Sequence, residues 1–277
     1  MYSTVQAGNL ILTGHCISTH GSVLVVENHK VAFDCGIIPE GMVGKLCSCR
    51  MVCITHGHAD HISALHMDGH NRIVKSAKVA DYVMPSCCVK PWLGIAKGFN
   101  VLNGKSSNAY VPFVKGAEDK DEFKLTKHLS VVAHKTIHRV KSLGYTLVET
   151  REKLRECFHN FPGKLLGKWK RHGVELSYAI RKPIFSYTGD TTIEGLLAEP
   201  DFLNSEVLVT ECTFVDDDIT VEEAKKRGHI HISELVAHQN KIKGILVLCH
   251  FSPRYSKAQV REAVKSQRWK QQPVLLI

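Results

Sequence analysis

The sequence predicts an α/β (α+β) sandwich, two mixed β-sheets flanked by helices, built as a single domain over residues 1–277. Three observations lead there. Short apolar runs bounded by turn residues recur in both halves of the chain, and helical periodicities are mixed among them. No linker, low-complexity tract or short repeat divides the 277 residues. An apolar content of 44% is enough for a full core at this length.

The elements follow in order. Leu10-Ile11-Leu12, Ser22 to Val26 and Val31 to Phe33 read as antiparallel strands, with Asn28-His29 as a turn. Met51 to Thr55 is a buried strand, and Ile62 to His66 can begin a helix. Further strands are expected at Ser130 to Ala133, Tyr145 to Val148, Ile184 to Tyr187, Val207 to Thr210 and Gly244 to Cys249. Helices are expected at about Ser233 to Asn240 and Lys257 to Ser266. The stretch 149–181 differs: it carries Gly and Lys, is weakly periodic, and reads as an arm inserted between two strands.

Composition excludes several classes. No stretch approaches the ~18 apolar residues of a membrane span, and the start, Met1 to Gln6, has no basic-then-apolar leader pattern. Ten cysteines without a C-x-x-C spacing form neither a zinc finger nor the disulfide frame of a small secreted domain. Reduced thiols in a cytoplasmic or nuclear protein are expected, with the vicinal Cys87-Cys88 pair read as small buried side chains in preference to a redox-active pair. Net charge is +9, and between His138 and Asp190 eleven basic residues face four acidic ones. Such an excess suits an anionic partner, or simply a solvated basic face.

The chemistry concentrates after the strand ending at Thr55. His56-x-His58-x-Asp60-His61 places three imidazoles and a carboxylate on one loop, a ligand set that zinc accepts. His56 and His58 suit one ion; Asp60 and His61 turn toward a second. Two ions need more ligands, and His138, Asp190 and His250 each follow a strand, where a rigid scaffold presents side chains to a shared edge.

This order, with Gly189-Asp190-Thr191 as its centre, resembles the metallo-β-lactamase superfamily, and the flanking residues are similar to the tRNase Z family. The similarity lies in His138 to Tyr145, in Gly228-His229-Ile230-His231-Ile232-Ser233-Glu234 and in His250-Phe251-Ser252-Pro253-Arg254-Tyr255-Ser256. It spans roughly residues 8 to 260, includes Phe33-Asp34-Cys35-Gly36, and is nearest the short, single-unit form. The resemblance implies that His56, His58 and His138 bind one zinc, that Asp60, His61 and His250 bind the other, and that Asp190 bridges them. Manganese is an acceptable substitute. Asp34 would support the loop from behind, or serve only as a turn carboxylate.

The implied reaction removes the 3′ trailer of precursor tRNA, leaving a tRNA 3′-hydroxyl and a 5′-phosphorylated trailer. A zinc pair ~3.5–4 Å apart would supply a hydroxide at neutral pH to attack the phosphodiester, with Asp60 orienting it or accepting its proton. His229, held by Glu211, would protonate the leaving 3′ oxygen; His231 competes for that role or starts a helix. The family usually has His-Glu-Ala-Thr where this chain has Thr210-Glu211-Cys212-Thr213. The basic segment, with Lys164, Lys168, Lys170 and Arg171, corresponds to the family's tRNA-gripping arm, although it is short and lacks a Gly-Pro cluster. Arg254 either contacts RNA beside the cut or packs against the His250 loop. A homodimer with arms serving opposite sites is implied as well. The competing readings are another hydrolase of this fold, such as a general phosphodiesterase, glyoxalase-II-like thioesterase or lactonase, and a non-catalytic RNA-binding protein.

Overall fold

In the computed structural model, which describes residues 2–106 and 113–277, two seven-stranded sheets pack face to face. The first holds β1 (Ser3–Ala7), β2 (Leu10–Ile17), β3 (Gly21–Val26), β4 (Val31–Phe33), β5 (Met51–Cys53), β6 (Asp81–Pro85) and β7 (Val114–Ala117), in that order. The second holds β8 (Glu122–Lys124), β9 (Leu129–Lys135), β10 (Leu143–Leu154), β11 (Ser177–Tyr187), β12 (Val207–Glu211), β13 (Ile245–Cys249) and β14 (Val274–Leu275). In each sheet the first four strands pair antiparallel and the last three join in parallel.

Alternation along the strands explains the layering. Leu24 and Val26 of β3, Met51 and Cys53 of β5, Val207 and Val209 of β12, and Val247 and Cys249 of β13 point between the sheets. Their neighbours Val23, Val25 and Val52 face one helical layer, and Leu208, Leu246 and Leu248 face the other. A strand buried on both faces reads as a continuous apolar run, as β12 and β13 do. The Phe33 ring bridges the sheets, stacked on Phe185 at 5.3 Å and tilted toward Tyr187 at 5.6 Å.

Over the first sheet lie α1 (Val43–Cys47), α2 (Ala59–Ile62), α3 (Leu65–Val74) and α4 (Ser86–Leu102). Between β10 and β11 comes α5 (Gly163–Arg171). The second sheet carries α6 (Ile193–Leu197), α7 (Pro200–Asn204), α8 (Val221–Lys226), α9 (Ile232–His238) and α10 (Lys257–Lys265). Among the described residues, no helix is long and apolar enough to cross a membrane.

Two sequence expectations need correction. The helix expected to begin within Ile62 to His66 is there as α3, from Leu65, but a separate single turn, α2, precedes it: it runs from Ala59 to Ile62 with His58 at its N-cap, so Asp60 and His61 stand in a helical turn. The motif is too short for its helical half to show a period. The Cys87-Cys88 pair is not buried: Cys87 is exposed and Cys88 is half-buried, because both lie in the first turn of α4.

The segment 149–181 is more regular than its sequence. The β9–β10 ladder stops at Glu149, while β10 and β11 continue pairing to Leu154 and Ser177. Exposed to water on both faces, that ribbon has no apolar alternation to read. Phe158, Phe161 and Trp169 cluster at its tip with ring centroids 5.0–6.4 Å apart.

Candidate metal centre

Ends of strands from both sheets meet at one place. Asp34 follows β4, the His56 to His61 motif follows β5, His138 follows β9, Asp190 follows β11, Glu211 closes β12 and His250 follows β13. Most of these are the carboxyl ends of parallel strands, the side from which such sheets present functional loops.

Asp34 organises the first loop. Completely buried with φ +58°, it accepts hydrogen bonds from the Thr55 amide at 2.8 Å and from the Tyr187 hydroxyl at 3.0 Å. His61 donates to it through Nδ1 at 2.8 Å, which leaves Nε2 with its lone pair pointing inward. Gly36 is required beside it, because a Cβ there would lie 1.8 Å from the Asp60 carbonyl oxygen.

The other imidazoles are oriented the same way. His56 Nδ1 lies 3.0 Å from the Thr55 hydroxyl, His138 Nδ1 donates to Gly228 O at 2.8 Å, and His250 Nδ1 lies 3.2 Å from the Thr213 hydroxyl. The Thr213 hydroxyl donates its own hydrogen bond to Glu211. Each of these rings therefore turns Nε2 toward the centre, and His58 adds Nδ1. Gly228, at φ +79°, leaves room for this: a Cβ would sit 2.6 Å from His138 Nδ1.

The inward atoms form two groups. His56 Nε2 is 3.0 Å from His58 Nδ1, His58 Nδ1 is 3.3 Å from His138 Nε2, and Asp190 Oδ2 is 3.8 Å from His56 and 4.0 Å from His138. In the second group Asp190 Oδ1 lies 3.5 Å from His61 Nε2 and 3.3 Å from His250 Nε2, with Asp60 Oδ2 3.7 Å from each imidazole. An ion held tetrahedrally at ~2.0–2.1 Å separates its ligand atoms by roughly 3.3–3.4 Å. Moreover, His61 Nε2, His250 Nε2 and Asp190 Oδ1 are buried without a hydrogen-bond partner, as expected of atoms reserved for an ion. The residues fit a metal at each group.

At the first group electrostatics agree. Burial and neighbouring imidazoles hold His56 well below the usual histidine range, and burial lowers His58 and His138 as well, keeping these ligand nitrogens unprotonated. His61 is pushed the other way: burial is outweighed by Asp190 and Asp34. Asp190, despite burial, is held well below the carboxylate range by His250 and His61.

His229 stands at the rim, its side chain 12% exposed, with Nδ1 2.9 Å from Glu211 and 4.0 Å from Asp190. Burial lowers its pKa, but Glu211 and Asp190 prevail and raise it to about 9. His231 is placed otherwise. It caps α9, with Nε2 2.9 Å from Asp216 O and Nδ1 2.7 Å from Ser233 Oγ. Both nitrogens are occupied.

A cavity of about 560 Å³ opens beside His138, lined in part by Arg139, Lys141 and Glu118. The structure does not bring the basic candidates into the cluster. Lys164, Lys168, Lys170 and Arg171 are exposed on α5, and Arg254 is exposed with its guanidinium 5.9 Å over the Tyr255 ring. Sequence reasoning missed Thr55, Thr213 and Tyr187, whose hydroxyls fix Asp34, His56, His250 and Glu211. Only the adjacency of Thr55 to His56, and of Thr213 to the Glu211 segment, could have signalled two of them.

Comparison with known proteins places the chain in a family. No family model matches the chain. It is 32% identical over 258 residues to tRNase Z TRZ1 of Arabidopsis thaliana, covering 92% of this chain and 90% of that protein. The chain belongs to the tRNase Z (ribonuclease Z) family. Chloroplastic tRNase Z TRZ2 of the same plant is 29% identical over 94% of this chain and 72% of its own length. Among solved structures, human tRNase Z, short form, superposes with a TM-score of 0.57 at 19% identity, over 88% of this chain and 93% of that one. The metallo-β-lactamase fold protein YhfI from Bacillus subtilis gives 0.60 at 15% identity, over 95% of each. The fold is thus the metallo-β-lactamase αββα sandwich, and as a tRNase Z family member the chain is an endoribonuclease.

Proposed function

We propose that this tRNase Z family member is a two-zinc endoribonuclease that removes the 3′ trailer from precursor tRNA, leaving a 3′-hydroxyl on the tRNA and a 5′-phosphate on the trailer. The observation that carries this reading is the division of the Asp190 carboxylate, one oxygen toward each group of inward imidazole nitrogens. His56, His58, His138 and Asp190 would hold one ion; Asp60, His61 and His250 the other, joined by the second oxygen of Asp190. Bound there, a zinc pair supplies activated water and neutralises charge on the phosphoryl oxygens, with manganese as a substitute.

The remaining steps fall to the chain itself. Asp60, fixed by the Thr19 amide at 2.8 Å, orients the attacking water at the edge of the second group. His229 commits Nδ1 to Glu211, so Nε2 carries the proton that the leaving 3′ oxygen needs. Glu211 is held in turn by the Thr191 amide at 2.8 Å and by Thr213, and it keeps His229 charged at neutral pH. Because Nδ1 of His231 caps α9 and Nε2 is engaged by Asp216 O, we read that residue as a helix start rather than the donor.

Recognition of the RNA body belongs to the ribbon at 149–181. The α5 cations offer sequence-independent phosphate contacts, and Arg254 offers one nearer the cut. The relatives' names, tRNase Z, support this substrate. In our reading the protein works in the cytosol or nucleus, where its free thiols stay reduced, as a homodimer whose arms serve opposite sites.

Metal analysis tests the centre. Purified protein should hold two zinc ions per chain, and Asp190→Ala should lose both, since it removes one ligand from each group. Protein that binds no divalent metal after loading with Zn²⁺ or Mn²⁺ contradicts the reading.

A further inference from the structure

Seven of the ten cysteines are buried; Cys87, Cys88 and Cys157 are not. Cys87 and Cys88 converge in the first turn of α4 with their sulfurs 3.9 Å apart. Cys88 also lies near the segment that carries two of the proposed ligands: a Cβ added at Gly57, between His56 and His58, would come within 3.2 Å of its sulfur. On the other side, Lys141 pairs with Glu118 at 2.5 Å, and both line the cavity beside His138.

We propose that Cys87 and Cys88 form a chelating dithiol for a thiophilic metalloid or soft metal ion, and that its occupation displaces the His56-Gly57-His58 segment. The second half rests on the metal-centre reading above; the first half does not.

Chelation suits the geometry better than a disulfide. Adjacent Cα atoms are fixed ~3.8 Å apart, short of the ~4.4–6.8 Å span of an ordinary disulfide, and here the backbone is also helical. Two converging sulfurs can share one ion without moving their Cα atoms. Thiolates select soft ions; burial and the neighbouring Cys87 push the Cys88 thiol up to about 12, so the captured group must displace a thiol proton, as a trivalent arsenical does.

Phenylarsine oxide is a suitable probe. Two S–H bonds break, two As–S bonds form, and the arsenic-borne oxygen leaves with both protons as one water; arsenic remains trivalent. Intact-protein mass after one equivalent should show one adduct per chain, removed by 2,3-dimercaptopropanol and not by 2-mercaptoethanol. Cys87→Ser and Cys88→Ser should each weaken capture about 100-fold, because the second sulfur then no longer binds intramolecularly, whereas Cys157→Ser should not. Capture that persists in the exposed-site variant Cys87→Ser overturns the dithiol.

The coupling is read separately, on hydrolysis of bis(p-nitrophenyl) phosphate by zinc-loaded protein. The adduct should slow the wild type about tenfold or more, as misplaced catalytic groups do, and leave Cys87→Ser unaffected. Unchanged hydrolysis in a fully modified wild type overturns the coupling. Absence of hydrolysis in unmodified protein counts against the catalytic reading, while the mass measurement still decides the dithiol.

Discussion

Asp190 and Asp34 divide the work of one site between them. Asp190 faces the inward nitrogens, whereas Asp34 stands behind His61 and fixes which nitrogen it presents. Partners of this kind typically contribute 10–100-fold to metal affinity. Asp34→Ala should therefore raise the apparent zinc dissociation constant by about that factor in a chelator competition, with all seven proposed ligands still in place. His229 allows a test by pH. Its raised pKa, about 9, keeps the imidazole charged at neutral pH, and in our proposal, where it is the proton donor, activity is lost as pH rises through that value. Glu211→Gln removes the main charge that raises it. The alkaline limb of the kcat/KM profile should move to lower pH, and an unmoved limb would show that His229 is not the donor. The motif residues that form the two groups were legible in the sequence because imidazoles and carboxylates crowded at short spacing after buried strands are costly to desolvate unless an ion gathers them. Tyr187 was not. It reaches Asp34 across 153 positions, and nothing local in its strand marks that contact.

At the level of elements, strands were easier to read than helices. β3, β12 and β13 are buried on both faces and stand out as apolar runs. By contrast, α4 contains Pro91 and two glycines, and α6 and α7 span five residues each, too few for a helical period to emerge. The ribbon at 149–181 hid its strands because neither face meets a core. In our account its α5 cations meet RNA phosphates away from the cut. Replacing Lys164, Lys168 and Lys170 with Ala should weaken precursor binding and flatten the log–log salt slope by about 3, one unit per lost phosphate contact. Turnover of a small phosphodiester should stay largely unchanged. Equal loss of both activities would remove the remote grip from the account.

At the scale of the whole molecule, both sheets repeat one plan, four antiparallel strands followed by three in parallel. The sequence shows no trace of this repeat, since the shared feature is strand direction and not residue identity. The plan matters because each sheet delivers its loops to the same edge: the first brings Asp34 and His56 to His61, the second His138, Asp190, Glu211 and His250. Neither sheet holds a complete group. The Phe33, Phe185 and Tyr187 contacts between the sheets therefore also hold the two halves of the site in register. The central claim is that this shared edge cuts precursor tRNA, and incubation with a 3′-extended precursor tRNA tests it most directly. With Zn²⁺ or Mn²⁺ the wild type should release the trailer at a single position, leaving a tRNA 3′-hydroxyl and a trailer 5′-phosphate, while Asp60→Ala leaves the precursor whole. A trailer that stays attached under both metals, or one that Asp60→Ala removes equally well, would contradict the account.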